Sequence, residues 1–158
     1  MTMELCPVRS KADLRTFIRL PAKLPGKRPN YVPPLWSEEA NWHDPGRNPA
    51  LRGCDTVRYL VRDKGVVTGR VMGLIHRAYN AEHQERTARF YQLDVVDDHR
   101  TVQLLLEGVE KWAHALGMDR VIGPFGSSDK DPQGLQVHGF EHLPVIATAS
   151  NPAYLPGL

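Results

Sequence analysis

The sequence has no long run of apolar residues. Hydrophobic residues make up 41% of its 158 positions and are interrupted throughout by charged and polar ones, whereas a helix that spans a bilayer needs about 20 apolar residues. The amino-terminal stretch MTMELCPVRSKADLR reaches charge before an apolar segment can form, so no secretory signal is expected. The sequence therefore predicts no integral membrane segment and a cytoplasmic location.

Cysteine is scarce, and neither sign of charge dominates. Cys6 and Cys54 lie far apart and form no CxxC pair, so we expect two reduced thiols and no disulfide or cysteine zinc site. The 20 basic and 18 acidic residues are interleaved along the chain, which gives no concentrated field for a polyanion. Nucleic acid is therefore not an expected partner.

The loop GPFGSSDKDPQG, residues 123–134, has an incomplete calcium-site pattern. Asp129 and Asp131 have the spacing of calcium ligands, but the position that needs a glutamate is Phe140. The loop also contains no Walker motif for phosphate. We expect its aspartates to be turn residues.

A zinc-peptidase pattern is equally incomplete. His138, Glu141 and His142 follow the H-x-x-E-H order, in which a helix must bring both histidines onto one face. Gly139 and Pro144 oppose that helix. The sequence therefore predicts no metal site.

Apolar periodicity and turn residues predict an α/β fold, more closely α+β, that forms one domain over residues 1–158. A strand over 3–8 leads to a helix capped by Ser10, and residues 25–48 form a proline-rich irregular segment with room for a short helix over 37–42. Two strand patterns from 56 to 77 flank Asp63-Lys64-Gly65, a hairpin signal. The glycines Gly69 and Gly73 indicate either a bulge or close backbone approach, or a strand that twists freely.

The second half of the predicted fold contains its clearest element. A strand over 89–96 precedes a long helix with one apolar stripe, an Asp98 cap and Gly117 just past its end. Residues 120–123 form the last predicted strand. The expected order is therefore β-α-α-β-β-β-α-β, with a parallel βαβ unit near the end.

Five segments occur in order along the chain: YVPPLW (31–36), HDPGRNPAL (43–51), VVTGRVMGLIHRAYNAEH (66–83), GPFGSSDKDPQGLQVHGFEHLP (123–144) and SNPAYLPGL (150–158). Together they resemble a diverged bacterial branch of the GNAT-like acyl-CoA N-acyltransferases, which has bacterial ceramide-synthase-like members. The resemblance implies a GNAT-like mixed sheet with flanking helices and acyl-CoA as cosubstrate, without a metal.

The resemblance also implies site residues. The groups expected to hold the acyl-CoA arm lie on one strand and on the loop after the next strand: Phe90, Leu93, Val95, Val96, Gly123 and Gly126. Tyr154 and His138 are the expected catalytic residues for proton transfer. A small-molecule amine, such as a sphingoid-base-like acceptor, is the expected second substrate.

Two features depart from the family pattern. Residues 96–104 contain no glycine and include Asp97 and Asp98, where relatives have a glycine-rich turn for the CoA pyrophosphate. The resemblance further implies that the carboxyl-terminal helix and last strands are missing. Two functions follow: the amino-terminal portion or a truncated relative of an acyl-CoA-dependent N-acyltransferase, or a non-catalytic GNAT-like module that pairs with a partner chain or forms a homodimer.

Overall fold

The computed structural model describes residues 3–26 and 28–158 and places five strands in one mixed sheet. The strands are β1 (Glu4–Pro7), β2 (Cys54–Asp63), β3 (Val66–His76), β4 (Thr87–Val95) and β5 (Arg120–Ile122). The helices are α1 (Lys11–Arg19), α2 (Trp36–Trp42), α3 (Arg77–His83) and α4 (His99–Ala115). The spatial order is β1-β2-β3-β4-β5, antiparallel from β1 to β4 and parallel between β4 and β5.

The central hairpin forms where its turn residues predict it. Lys64 and Gly65 have φ values of 49° and 84°, the left-handed conformation that tight hairpin turns require. Successive side chains of β2 then point to opposite faces of the sheet. Leu60 belongs to one buried cluster and Val61 to another, so the sheet is covered on both sides.

The helix α4 covers one face of the sheet at close range because β3 carries two glycines. A Cβ atom on Gly69 would lie 2.6 Å from Thr101 Cγ2 and 2.9 Å from Leu105 Cδ1. On Gly73 it would lie 3.1 Å from the Trp112 ring. Close approach, by helix side chains, is therefore the alternative that the structure adopts for both glycines.

The other face is covered by α1 and the segment that leads to α2. Ser10 and Asp13 form a capping box, with Asp13 N donating to Ser10 Oγ at 3.0 Å, as the sequence indicated. Phe17 of α1 is fully buried and packs with residues from β2, β3 and the turn before β2. These partners are Leu51, Leu60, Met72 and Leu74.

The mixed sheet with flanking helices confirms the predicted fold class, with one helix added. Residues 77–83 carry no apolar periodicity, so the sequence predicted no element there, yet they form α3. Asn80 is the buried residue of this helix and donates from Nδ2 to Thr87 O at 2.9 Å. The helix is thus held by a polar contact to the start of β4, which periodicity does not reveal.

The chain after β5 is mostly irregular. Residues 123–158, all of them described, contain no regular element except a 3₁₀ turn at Leu155–Gly157. Asn151 is buried and closes an excursion of the chain, residues 136–151. Its Oδ1 accepts from Gln136 N at 2.7 Å, and its Nδ2 donates to Gln136 O at 3.1 Å. No helix within residues 3–26 and 28–158 has the length and apolarity to cross a membrane.

Candidate functional site

A cleft opens where β4 and β5 part. The two strands pair from Thr87 opposite Arg120 to Arg89 opposite Ile122, and one further bond joins Phe125 N to Phe90 O at 2.8 Å. Beyond that point the chain leaves β4, and a cavity of about 250 Å³ is present. Its polar and aromatic lining comes from several elements: Arg28, Tyr31, Glu39, Arg70, Tyr91, Gln92, Asp94 and Asn151.

A bulge in β4 shapes the cleft wall. Arg70 pairs with Asp94 and Met72 with Tyr91, so two residues of β4 lie opposite one of β3. Gln92, within the bulge, has a φ of 52°, which is uncommon for a residue other than glycine. Bulges redirect side chains, and Gln92 Nε2 donates to Glu39 Oε1 at 2.7 Å.

Glu39 is a partly buried carboxylate of the cleft wall. It lies on α2 and lines the cavity. Burial raises the pKa of Glu39, while the Arg70 charge and the hydrogen bond from Gln92 act in the opposite direction. A carboxylate with a raised pKa is a better proton acceptor near neutral pH than an exposed one.

Polar atoms without partners gather around this carboxylate. Within the described residues, three buried side-chain atoms lack a hydrogen-bond partner: the Tyr31 hydroxyl, His43 Nε2 and Gln92 Oε1. His43 Nε2 lies 3.8 Å from Glu39 Oε1, the oxygen that Gln92 also contacts. Tyr31 lines the same cavity, and burial together with the nearby Asp94 raises the pKa of its hydroxyl. Since leaving such an atom unpaired costs about 1–3 kcal/mol, the two that belong to residues of the cavity lining, on Tyr31 and Gln92, suit a polar ligand.

His43 is a buried neutral imidazole. Its Nδ1 accepts from Arg58 Nε at 2.9 Å, so the ring hydrogen lies on Nε2. The rings of Phe17 and Trp42 meet it edge-on at centroid distances of 5.5 and 5.0 Å. Burial, with a further contribution from the Arg58 charge, lowers the pKa of His43 to about 3. The imidazole is therefore uncharged at neutral pH.

We expect His43 to make the fold sensitive to mild acid. Because its folded pKa of about 3 lies below the ordinary 6.5, the unfolded chain takes up a proton first, and the stabilisation present above pH 6.5 is lost as pH falls. The loss is about 2 kcal/mol between pH 6.5 and 5. Urea unfolding at pH 7 and pH 5 checks this, with His43→Phe as the comparison. An equal acid effect in both chains would contradict a buried neutral imidazole.

An ion pair forms the base of the cleft. Arg70 contacts Asp94 Oδ2 through Nη2 at 2.8 Å and Nε at 2.9 Å, and both residues are buried. Arg70 Nη1 also donates to Phe17 O at 2.8 Å, which ties β3 to α1. The pair is mutually neutralised, so Glu39 is the cleft carboxylate without a close cationic partner among the described residues.

The loop 123–134 forms the opposite wall and is fixed by Asp131. Asp131 Oδ2 accepts from Ser127 N at 2.7 Å and Ser128 N at 3.1 Å, while Oδ1 accepts from Trp42 Nε1 at 2.9 Å. Both oxygens are engaged by the protein, as expected for a turn residue. In the described ranges, 3–26 and 28–158, no three His, Cys, Asp or Glu residues group in a way that could hold a metal ion.

The loop glycines are places of close contact. A Cβ atom on Gly123 would overlap the Phe90 carbonyl oxygen, and one on Gly126 would overlap the Asp131 carboxylate. Both glycines therefore shape the wall at the point where the cleft begins. Their role in binding a cosubstrate stays a prediction.

The four predicted strand residues have different surroundings. Leu93 lines the cavity, whereas the Phe90 carbonyl is bonded to Phe125 N. Val95 is fully buried in the core, and Val96 N donates to Thr68 O at 2.9 Å. The stretch of β4 that faces the cavity is thus Tyr91–Asp94, shorter than the predicted binding strand.

The two predicted catalytic residues are outside the cavity lining to which Glu39 belongs. The Tyr154 hydroxyl donates to Val95 O at 2.6 Å, and burial raises the pKa of this hydroxyl. His138 is exposed in the loop after β5, and neither residue lines the cavity. Their catalytic role stays a prediction, and the geometry offers Glu39 as a different proton acceptor.

The residues present fit one part of an acyl-CoA molecule. Residues 91–94 run along the cleft beyond the last pairing with β5, and an extended thioester arm can hydrogen-bond to such a strand edge. The start of α4 does not fit the pyrophosphate, because the Asp98 carboxylate accepts from Thr101 N at 2.7 Å. The His99 ring also contacts the Leu158 carbonyl at 3.1 Å.

The polar residues at the centre of the cleft do not stand out in the sequence as a site. Tyr31, Glu39 and His43 fall within the proline-rich segment 25–48, and Arg70 and Asp94 are charged residues within the predicted strands. Tyr31, His43 and Arg70 do lie in the matched segments 31–36, 43–51 and 66–83. Charged residues inside buried strand patterns were the available signal.

Comparisons with known proteins find relatives that are longer than this chain. No protein-family model matches it. It is 29% identical over 153 residues to a protein named bacterial ceramide synthase from Caulobacter vibrioides, covering 96% of this chain and 40% of the relative. It is 28% identical over 135 residues to protein YghO from Escherichia coli, covering 85% and 34%. A solved tandem GNAT protein from the clavulanic acid biosynthesis pathway matches 83% of this chain and 39% of its own, with a TM-score of 0.50 and 19% identity.

Proposed function

We propose that this chain, which has the GNAT fold and is a relative of a protein named bacterial ceramide synthase, forms the site of an acyl-CoA-dependent N-acyltransferase. The observation that carries the proposal is the Glu39 carboxylate, which lines one cavity together with the unpaired Tyr31 hydroxyl and Gln92 Oε1. The group borders the bulged part of β4, where the cleft opens. The whole protein's substrates belong to the proposal, because the chain spans 40% and 34% of its curated relatives.

Three groups of the cleft have proposed roles. The acceptor amine attacks the thioester carbonyl carbon, so that a C–N bond forms, the C–S bond breaks and the CoA thiolate leaves. Glu39 takes the proton that the amine nitrogen loses, and Gln92 Oε1 accepts a second N–H of the amine. Backbone N–H groups of residues 91–94 hold and polarise the thioester, which needs no covalent enzyme intermediate.

The acceptor in this proposal is a long-chain amine. The name of the Caulobacter relative, bacterial ceramide synthase, supports a sphingoid-base-like acceptor. Apolar residues near the cleft are compatible with an alkyl chain, since Val32 of the lining is 60% exposed and Ile146 of the adjacent excursion is 92% exposed.

A binding and transfer experiment tests the proposal. Calorimetry with acetyl-, octanoyl- and palmitoyl-CoA measures donor binding, and mass spectrometry after addition of a long-chain 2-amino alcohol measures amide formation. The N,N-dimethylated alcohol is the matched acceptor control, because its nitrogen has no hydrogen to lose. If neither this chain nor the chain extended through its adjoining coding sequence binds any donor, the proposal fails.

The second candidate function is a non-catalytic module that pairs with a partner chain or with its own copy. It is favoured by β5, an edge strand that pairs with β4 over three residues and has an open outer edge among the described strands. Light scattering at rising concentration tests self-association. A monomer at every concentration that captures no partner would count against this function.

A further inference from the structure

We infer that His43 is a positioning residue that holds the Glu39 carboxylate through its Nε2–H. The inference rests on the proposed function, since the orientation of Glu39 matters only if this carboxylate accepts a proton from an amine. Its basis is the placement of a buried donor, on the residue that follows α2, beside an acceptor on that helix. The Gln92 side chain also acts on the His43 ring and is the competing acceptor.

The orientation of the His43 ring is set by Arg58, which contacts the ring at Nδ1. Arg58 Nε donates to His43 Nδ1 at 2.9 Å, and Arg58 Nη1 is itself anchored to Thr56 Oγ1 at 3.3 Å. An arginine side chain has donors and no acceptor, so Nδ1 must be the unprotonated nitrogen. With Phe17 and Trp42 against the ring, the remaining donor, Nε2–H, is fixed in direction.

The acceptor lies just beyond hydrogen-bond range. His43 Nε2 is 3.8 Å from Glu39 Oε1, and an N–H···O bond needs about 2.7–3.2 Å. Glu39 lies one helical turn before His43, so a small change in the glutamate side chain closes the gap. Oε1 would then accept from both His43 and Gln92, and Oε2 would remain for the acceptor amine.

A neutral donor suits this purpose better than a cation. A charged partner would lower the basicity of Glu39, whereas an uncharged N–H orients the carboxylate with a smaller effect. The other titratable groups that act on Glu39 come from four parts of the fold: Tyr31 before α2, Arg70 of β3, Tyr91 and Asp94 of β4, and Asp131 after β5. Those groups are unchanged in His43→Asn and His43→Gln.

Titration of Glu39 in two variants tests the inference without any substrate. His43→Asn keeps an oxygen for Arg58 but withdraws the donor from Glu39, whereas His43→Gln keeps a donor near the Nε2 position. Glutamate ¹³C resonances followed by NMR give the pKa, with Glu39→Gln to assign the signal. If the side-chain change closes the 3.8 Å gap in the ligand-free protein, the pKa of Glu39 should rise by about one unit in His43→Asn, because the hydrogen bond assigned to the charged form is then lost. In His43→Gln we expect it to stay near the wild-type value.

The outcomes separate this inference from the proposed function. The pH midpoint of acyl transfer should shift with the Glu39 pKa in His43→Asn, with kcat lowered and KM unchanged. If Glu39 titrates identically in all three folded chains, the inference is wrong even where transfer is observed. If no transfer is observed, the proposed function fails while the titration still decides on the contact. If His43→Asn does not fold, a shifted Glu39 pKa in His43→Gln also overturns the inference.

Discussion

Replacement of Glu39 by glutamine is expected to lower kcat for acyl transfer by about 10²–10⁴-fold, the range that a positioned general base contributes. Glutamine keeps the size of the side chain and can accept from Gln92, but it cannot take a proton from the amine. Donor affinity measured by calorimetry should be unchanged. The rate is measured as CoA thiol release with a long-chain 2-amino alcohol.

The neighbouring Glu38 supplies the matched control. It lies on the same helix, is exposed and carries the same charge, so Glu38→Gln should leave the rate unchanged. Because burial raises the pKa of Glu39, the wild-type rate should rise with pH through that pKa, as the carboxylate form accumulates. The same pH step should be absent from the residual rate of Glu39→Gln. Full activity in this variant would remove Glu39 from the proposed mechanism.

Replacement of Arg70 by methionine is expected to lower the free energy of unfolding by about 3–5 kcal/mol. This is the usual cost of leaving one member of a buried ion pair without its partner. Asp94 would lose both contacts to the guanidinium, and the Phe17 carbonyl would lose its side-chain donor while keeping the Leu20 N–H. Urea unfolding at neutral pH measures the change.

An exposed ion pair between α3 and β2 provides the comparison. Arg77 contacts Asp55, and both side chains are 45% exposed, so Arg77→Met should cost under about 1 kcal/mol. Arg70→Met combined with Asp94→Leu should recover part of the loss, because no unpaired charge then remains. Equal costs for Arg70→Met and Arg77→Met would contradict the buried character of the cleft pair.

Local chemistry made much of the fold predictable. The turn at Lys64 and Gly65, the Asp98 cap and Gly117 beyond α4 each express a preference that depends on a few adjacent residues. Asp98 Oδ2 accepts from Thr101 N as the capping pattern requires. The helix α3 escaped prediction because it buries one polar residue, Asn80, and has no apolar stripe.

The cleft depended on contacts that local patterns do not encode. Gln92 contacts Glu39 across 53 positions, and Trp42 contacts Asp131 across 89. The bulge at Gln92 adopts a left-handed φ without the glycine that would have signalled it. Sequence segments that resemble known relatives include Tyr31, His43 and Arg70, but only the packing of the folded chain brings Glu39 into the same cleft.

The two hydrogen bonds between Asn151 and Gln136 allow the excursion to change in length without disturbing the sheet. Because these two residues close its ends directly, doubling the number of residues between them would cost about 0.6 kcal/mol of closure entropy. The excursion includes Thr148, Ala149 and Ser150, which line the cleft. Related chains can therefore exchange this excursion for longer or shorter ones and acquire a different cleft wall on an unchanged scaffold.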